Sequence, residues 1–147
     1  MVPESARTGD CVPKAYDFLE QGEELEINMY GEVVEDIPID WWTGERASGM
    51  YICEKDFLDD LGKYQGKSRI TVRINSVGGD LYAGLAIANR LKEMDAEIVT
   101  IADALVASAA VAIYQAGNTR KIFSGSQIMI HEPSCFIYGR YDLHALD

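Results

Sequence analysis

Apolar runs and amphipathic stretches alternate regularly over residues 70–130, and this alternation constrains the fold more than any other feature of the chain. Residues 70–74 alternate between apolar and polar side chains as a strand does, and residues 98–101 form a second run of strand length. Between them, residues 81–94 place apolar side chains at three- and four-residue intervals, which is typical of an amphipathic helix. A helix of small residues is predicted from about residue 108 to 115. Strands and helices in this order predict parallel pairing and an α/β fold.

The remaining segments carry weaker patterns. Residues 25–30 alternate as a strand that ends at Gly31, and residues 53–64 place apolar side chains on one helical face. We expect residues 1–23 to form a loosely held N-terminal segment, with one short helix near residues 16–19. Two short apolar segments are predicted to be further strands: residues 122–123 and 128–130.

A long irregular segment separates the first strand from the first helix. Residues 34–50 combine acidic residues, a proline, two glycines and the pair Trp41 and Trp42. A loop of this length suggests a role in binding or assembly. The simpler interpretation, which large aromatic side chains favour, is a loop anchored by two buried indoles.

Length and charge limit the classes of protein that fit. The chain has 147 residues, of which 48% are hydrophobic, and this predicts one globular domain over residues 1–147. Its 13 basic and 24 acidic residues give a net charge of −11. Nucleic acids and anionic membranes attract clustered cations, so neither is an expected partner.

Cysteines and apolar runs point to the cytoplasm. Cys11, Cys53 and Cys135 are odd in number and widely spaced, so we expect reduced thiols and neither a disulfide nor a metal site. The N-terminus lacks the apolar core of a signal peptide. The longest apolar run, residues 104–114, is well short of the ~18 residues of a membrane span.

Binding sites of α/β sheets lie where strands end and helices begin, and the first such junction holds Gly78 and Gly79. Paired glycines permit positive φ and can expose backbone N–H groups to an oxyanion, although most such pairs only form tight turns. No Gly-Lys-Ser/Thr sequence follows, and the spacing of a dinucleotide fingerprint is absent.

The second junction holds one hydroxyl, Ser108, within an apolar run. The serine could cap the following helix. Alternatively it is a nucleophile, with the N–H of Ala109 available to an oxyanion. The G-x-S-x-G pattern of α/β-hydrolases is absent, which disfavours that family.

The third junction ends a predicted buried strand with His131. Most histidines at strand ends are satisfied polar groups, and Glu132 points to the opposite face of a strand. The sequence is not a zinc-binding HExxH helix, because Pro133 breaks any helix and residue 135 is cysteine. Taken together, the three junctions supply a nucleophile, a base and an oxyanion-binding turn.

Four blocks in this region carry a resemblance: residues 74–79, 83–87, 107–117 and 129–133. In order and approximate spacing they resemble the Clp protease (ClpP) family of serine peptidases. The Ala-Ser-Ala-Ala sequence at residues 107–110 and the region of residues 30–42 are most similar to the ClpP-like head-maturation proteases of tailed phages and prophages.

The resemblance implies a ClpP/crotonase-like α/β spiral and a serine endopeptidase without metal or cofactor. Ser108 would be the nucleophile, His131 the general base, and the N–H groups of Gly79 and Ala109 the oxyanion hole. A bound extended peptide would pair as a strand with the residues flanking this site. The implied substrate-binding residues are Gly78, Asp80, Leu81, Ser134, Cys135 and Phe136.

The family also implies partners: a protein or peptide substrate, and further copies of the chain in homo-oligomeric rings, heptameric and stacked face to face. Housekeeping members work with a hexameric ATPase unfoldase, whereas phage members process capsid or scaffold proteins.

Two departures from the family pattern stand out. Val77 replaces the usual proline of the glycine turn. The family's triad acid lies several dozen residues beyond the histidine, whereas this sequence ends 147 − 131 = 16 residues after His131. We therefore expect a domain that is incomplete at its C-terminus and lacks the triad acid and most of the ring-stacking helix. Two alternatives stay open: a crotonase-type acyl-CoA enzyme, and a truncated, inactive ClpP-like assembly subunit.

Overall fold

The computed structural model of the chain describes residues 14–134, which form a seven-stranded sheet and three helices. The strands are β1 Tyr16–Gln21, β2 Glu24–Val34, β3 Tyr51–Cys53, β4 Arg69–Gly79, β5 Glu97–Ala107, β6 Thr119–Ile122 and β7 Gln127–Met129. The helices are α1 Glu54–Leu61, α2 Leu81–Glu93 and α3 Ala109–Tyr114. Within residues 14–134, no helix has the length and apolar character needed to cross a bilayer.

The sheet has the order β1-β2-β4-β5-β6, with β3 beside the end of β2 and β7 beside the end of β5. All pairs are parallel except β1 with β2, which form an antiparallel hairpin. Gly22, at a φ of 61°, makes the tight turn of this hairpin. The predicted α/β fold is confirmed, as a mixed sheet with one antiparallel strand.

One face of the sheet is buried, because apolar side chains alternate along β2, β4 and β5 as the strand period requires. Full burial of such a side chain stabilises the fold by roughly 1.5–3 kcal/mol. The largest fully buried side chains are Phe57, Leu25, Ile27, Met29, Ile52, Leu61, Ile70, Ile74, Ile87, Leu91, Ile98 and Ile113.

The short helix predicted near residues 16–19 is wrong, because this segment is strand β1. Tyr16 pairs with Met29 of β2, and its ring lies edge-on to Phe57 of α1 at a centroid distance of 5.2 Å. Phe18 packs 5.6 Å from the same ring. Pairing and aromatic packing together override the weak local helical pattern. Residues 1–13 of the predicted N-terminal segment lie outside the described residues.

The central strands are longer than predicted. β2 continues through Gly31 to Val34, and β4 and β5 run on through the turn regions to Gly79 and Ala107. Glycine is required at position 31 inside β2, because a Cβ there would lie only 2.5 Å from the carbonyl oxygen of Met50. Glycine in a strand therefore marks a close approach of two backbones here, not the end of the strand.

The segment after β2 folds into a small hairpin, and its indoles are not buried. Trp41 and Trp42 are each 80% exposed, with their ring centroids 4.3 Å apart. The Asp40 carboxylate accepts hydrogen bonds from the Trp42 and Thr43 N–H groups at 2.8 and 3.1 Å. The expectation of two buried indoles is therefore wrong. Hydrogen bonds to the Asp40 carboxylate, and not burial of the rings, order this hairpin.

Candidate active site

Three strands deliver the predicted site residues to one edge of the sheet. β4 ends at Gly79, β5 ends at Ala107, and β7 ends at Met129. β5 is parallel to both of the others, so the carboxyl ends of all three strands meet at this edge. The segments that leave these strands carry the glycine turn, Ser108 and His131.

Ser108 has an unusual backbone conformation, with φ 53° and ψ −124°. Within residues 14–134 it is the one residue other than glycine with a positive φ. Such conformations cost roughly 1–3 kcal/mol and concentrate at functional sites. Two backbone hydrogen bonds keep Ser108 in this conformation. The Ser108 N–H donates to the Met129 carbonyl, and the Ser108 carbonyl accepts from the Val111 N–H, both at 2.9 Å.

The Ser108 side chain does not cap the helix that follows it. It makes no cap hydrogen bond to α3, so the helix-cap alternative is wrong. Between residues 14 and 134 its hydroxyl bonds to no other group, His131 included. Catalytic hydrogen bonds are often long or unformed without substrate, so this geometry is compatible with a nucleophile.

Gly78 lies directly against Ser108. A Cβ on Gly78 would sit 2.8 Å from the Ser108 Cβ, 2.8 Å from the Ala109 nitrogen, and in collision with the Ala107 carbonyl. Gly78 also has a φ of 87°, which only glycine adopts readily. Glycine is thus needed here both for conformation and for space.

Gly79 is confined on the other side of the turn. Its φ is 138°, and a Cβ on it would collide with the carbonyl oxygen of Val33 in β2. The next residue donates its N–H to that same carbonyl at 2.8 Å. The N–H of Gly78 is engaged with the Ser76 hydroxyl at 3.0 Å. Of the two glycines, Gly79 is therefore the candidate donor to an oxyanion.

Asp80 and Leu81 begin α2. The Asp80 carboxylate accepts from the Ala83 N–H at 2.8 Å, and its carbonyl accepts from the Gly84 N–H at 3.1 Å. Asp80 therefore shapes the turn, as a helix N-cap does. Leu81 is 44% exposed and presents apolar surface beside the turn.

His131 follows β7 and is exposed. Its Nδ1 lies 2.6 Å from the backbone oxygen of Glu132. A carbonyl can only accept a hydrogen bond, so in the neutral imidazole this contact selects the tautomer with the proton on Nδ1 and the lone pair on Nε2. That tautomer is the one a general base requires. Ser134 is exposed beyond it, whereas Cys135 and Phe136 lie outside the described residues.

Two residues of the site were missed by the sequence analysis. Ser76 is buried beneath the glycine turn and bonds to it. Gly84 lies within α2, where a Cβ would come 2.7 Å from the Ala109 carbonyl. A glycine inside a predicted helix is a signal of close approach, so Gly84 could have been found. In the part of the chain that the structure describes, no group of three or more metal-ligating side chains is clustered.

Comparison with known proteins connects this geometry to a family. The family model for Clp protease matches residues 56–144, more than half of the chain. An ATP-dependent Clp protease proteolytic subunit of Ligilactobacillus salivarius (strain UCC118) is 31% identical over 128 residues, covering 84% of this chain and 63% of the relative. Subunit 3 of Rhodococcus jostii (strain RHA1) is 39% identical over 99 residues, covering 66% of this chain and 49% of the relative.

Solved structures agree with the sequence relatives. ClpP1 from Listeria monocytogenes superposes with a TM-score of 0.52 at 26% identity, covering 72% of this chain and 55% of that protein. Its N165D mutant gives the same values. The chain thus spans between about half and two thirds of the length of these relatives. The predicted resemblance is confirmed: the chain belongs to the Clp protease family.

Proposed function

We propose that the chain is a serine endopeptidase that cleaves peptide bonds through an acyl-enzyme. The observation that carries this proposal is the strained backbone of Ser108 beside Gly78, with a hydroxyl that bonds to no group among residues 14–134. A fold keeps such strain where surrounding contacts enforce it, and active sites are the places where it concentrates. Family membership supports the same reaction, because the relatives are described as proteolytic subunits.

The reaction begins with attack of the Ser108 hydroxyl on the carbonyl carbon of the scissile bond. His131 accepts the hydroxyl proton at Nε2 as the new C–O bond forms. The Gly79 and Ala109 N–H groups stabilise the negative charge that develops on the carbonyl oxygen. His131 then returns the proton to the leaving amine, and water releases the acyl group by the reverse sequence of proton transfers.

The Glu132 carbonyl supports the role of His131. Its contact with Nδ1 holds the tautomer that leaves Nε2 free. In serine peptidases a carboxylate usually performs this orientation and also stabilises the imidazolium. A neutral carbonyl can orient the ring but stabilises the cation less, so a triad acid would accelerate the reaction further.

The peptide lies, in this proposal, along the exposed edge between the glycine turn and the segment after His131. An extended chain placed there can pair with backbone groups on both sides, as strand addition requires. Gly78 keeps the approach open, Asp80 fixes the turn, and Leu81 offers apolar contact. Ser134, Cys135 and Phe136 are proposed for the opposite side.

For assembly, we propose homo-oligomeric rings with the sites on the inner surface. The description of relatives as ATP-dependent supports a hexameric ATPase unfoldase as partner. The Trp41 and Trp42 region supports capsid or scaffold proteins of a tailed phage as substrates instead. Cleavage of a folded tagged protein only with unfoldase and ATP would favour the first, and cleavage of a capsid protein alone would favour the second.

The proposed activity is tested by hydrolysis of a fluorogenic peptide. Ser108→Ala should abolish hydrolysis, while Ser68→Ala, an exposed serine at the opposite edge of the sheet, should leave it unchanged. Unchanged hydrolysis in Ser108→Ala would overturn the assignment. Turnover of an acyl-CoA thioester without peptide hydrolysis would favour the crotonase alternative.

A further inference from the structure

Ser76 joins two parts of the backbone beneath the glycine turn. Its hydroxyl donates to the Gly31 carbonyl at 2.5 Å and accepts from the Gly78 N–H at 3.0 Å. The residue is only 4% exposed. Within residues 14–134, Ser76 and Thr100 are the two buried polar residues. A buried hydroxyl with both hydrogen-bonding functions satisfied is a fixed structural link.

The location of Ser76 explains why a side chain is needed for this link. The register of β4 shifts against β2 between Tyr30 and Glu32, and it shifts against β5 between Ile74 and Ser76. At such irregularities backbone groups lose their ladder partners and the strand changes direction. The Ser76 hydroxyl supplies a partner to the Gly31 carbonyl on β2 and to the Gly78 N–H on β4.

Gly31, the acceptor of this link, is itself held from its other side. The Glu32 N–H donates to the Met50 carbonyl at 2.9 Å, and the Tyr30 N–H donates to the Ala15 carbonyl at 2.7 Å. The Gly31 carbonyl therefore has little freedom to move. Through the Ser76 hydroxyl, this rigid part of β2 fixes the position of the Gly78 N–H.

Gly78 transmits that position to the proposed site, because no room for even a methyl group separates it from Ser108 and the Ala109 nitrogen. We infer that Ser76 is a positioning residue, which holds the glycine turn so that the Gly79 and Ala109 N–H groups converge on the oxyanion. This inference rests on the proposed peptidase function. An oxyanion hole acts mainly in the transition state, so loss of positioning should lower kcat and leave KM nearly unchanged.

The test compares peptide hydrolysis by Ser76→Ala with the parent chain. We expect kcat to fall roughly 10- to 100-fold, less than the 10²–10³-fold typical when an oxyanion donor is removed altogether. KM should stay within about twofold, and affinity for a peptide boronic acid, which forms a tetrahedral adduct, should fall with kcat. Ser76→Thr retains the hydroxyl and should recover most of the rate. Ser76→Cys fills the same space with a weaker hydrogen-bonding group and should be intermediate.

Thr100→Val is the matched control. Thr100 also donates a buried hydroxyl to a backbone carbonyl, that of Tyr114 at 2.7 Å, but at the far end of α3 from Ser108. It should lower the unfolding temperature without lowering kcat.

Three outcomes overturn the inference. Unchanged kcat in Ser76→Ala removes the positioning role. An equal loss of kcat in Thr100→Val makes the effect one of general stability. Hydrolysis by the parent that persists in Ser108→Ala refutes the proposed function itself, and this result is distinguishable because it does not depend on any Ser76 variant.

Discussion

Gly78 and Ser108 face each other across the ends of β4 and β5 with no space between them for a methyl group, since a Cβ on Gly78 would lie 2.8 Å from the Ser108 Cβ. The two residues come from different junctions of the sheet, so the contact exists only in the folded chain. It joins the turn proposed to bind the oxyanion to the residue proposed to attack the substrate. Each of the two conformations constrains the other.

Gly78→Ala should therefore damage both stability and activity. The new Cβ would meet the Ser108 Cβ and the Ala109 nitrogen at 2.8 Å, at a φ of 87° that alanine adopts poorly. We expect an unfolding free energy lower by about 2–4 kcal/mol and peptide hydrolysis reduced at least ~10²-fold. Gly125→Ala is the control, because no atom lies within 4 Å of that Cβ position. Wild-type hydrolysis by Gly78→Ala would mean that the turn tolerates displacement.

The strain at Ser108 predicts an unusual order of stabilities. Ser108→Gly should raise the unfolding free energy relative to Ser108→Ala by about 1 kcal/mol, because glycine adopts φ 53° without penalty while alanine keeps the clash of its Cβ. For a chain of this length, that difference corresponds to about 2–4 °C in Tm. Thermal unfolding followed by circular dichroism measures it. Equal Tm values for the two variants would show that Ser108 is not strained.

The sequence predicted the elements that have strong periodicity. Helix α2 and the strand at residues 70–74 follow directly from where apolar residues recur. Strand β1 differs from the predicted helix because its six residues are stabilised by pairing with β2 and by ring contacts with Phe57, which the local pattern does not encode. Contacts with residues distant in the sequence therefore determine the secondary structure of β1.

The candidate site residues could be proposed from the sequence, but their geometry could not. Gly78, Gly79 and Ser108 are identifiable from their junctions and family motif, whereas the conformation of Ser108 depends on three strands ending together. Ser76 could not be singled out, because its role depends on register shifts between neighbouring strands. Gly84, as a glycine inside a helix, signals a close approach in the sequence, but its partner Ala109 is identified only once α3 is packed against α2.

Asp60 in α1 should make stability depend on acid pH. Burial alone would raise the pKa of its carboxyl, but hydrogen bonds from Lys14, Lys63 and Tyr16 outweigh burial and lower the pKa to about 2. The two lysine contacts are 2.6 Å long, and that from the Tyr16 hydroxyl is 2.9 Å. A carboxyl with a lowered folded pKa contributes stability above its unfolded pKa of ~3.9 and loses it as pH falls towards 2.

Asp60→Asn should accordingly lower the unfolding free energy by about 1–2 kcal/mol at pH 7, allowing for solvent screening of the partly exposed ion pairs. The difference from the parent should shrink between pH 4 and about 2. Urea unfolding at several pH values measures this. Asp59→Asn is the control, since its exposed carboxylate forms no ion pair within residues 14–134. A constant difference at all pH values would contradict the ion-pair account.

Covalent labelling with a fluorophosphonate tests the central claim most directly, because only an activated serine reacts and the adduct can be located by mass spectrometry. The folded 147-residue chain should acquire one adduct, on Ser108. Ser108→Ala should acquire none, and His131→Gln should react roughly 10²–10⁴-fold more slowly because the general base is lost. Long incubation allows a slowly reacting serine to be labelled, so the result does not require fast peptide turnover. A denatured control shows which labelling needs the folded chain. No adduct on the folded chain, or an adduct on another serine, would contradict the account.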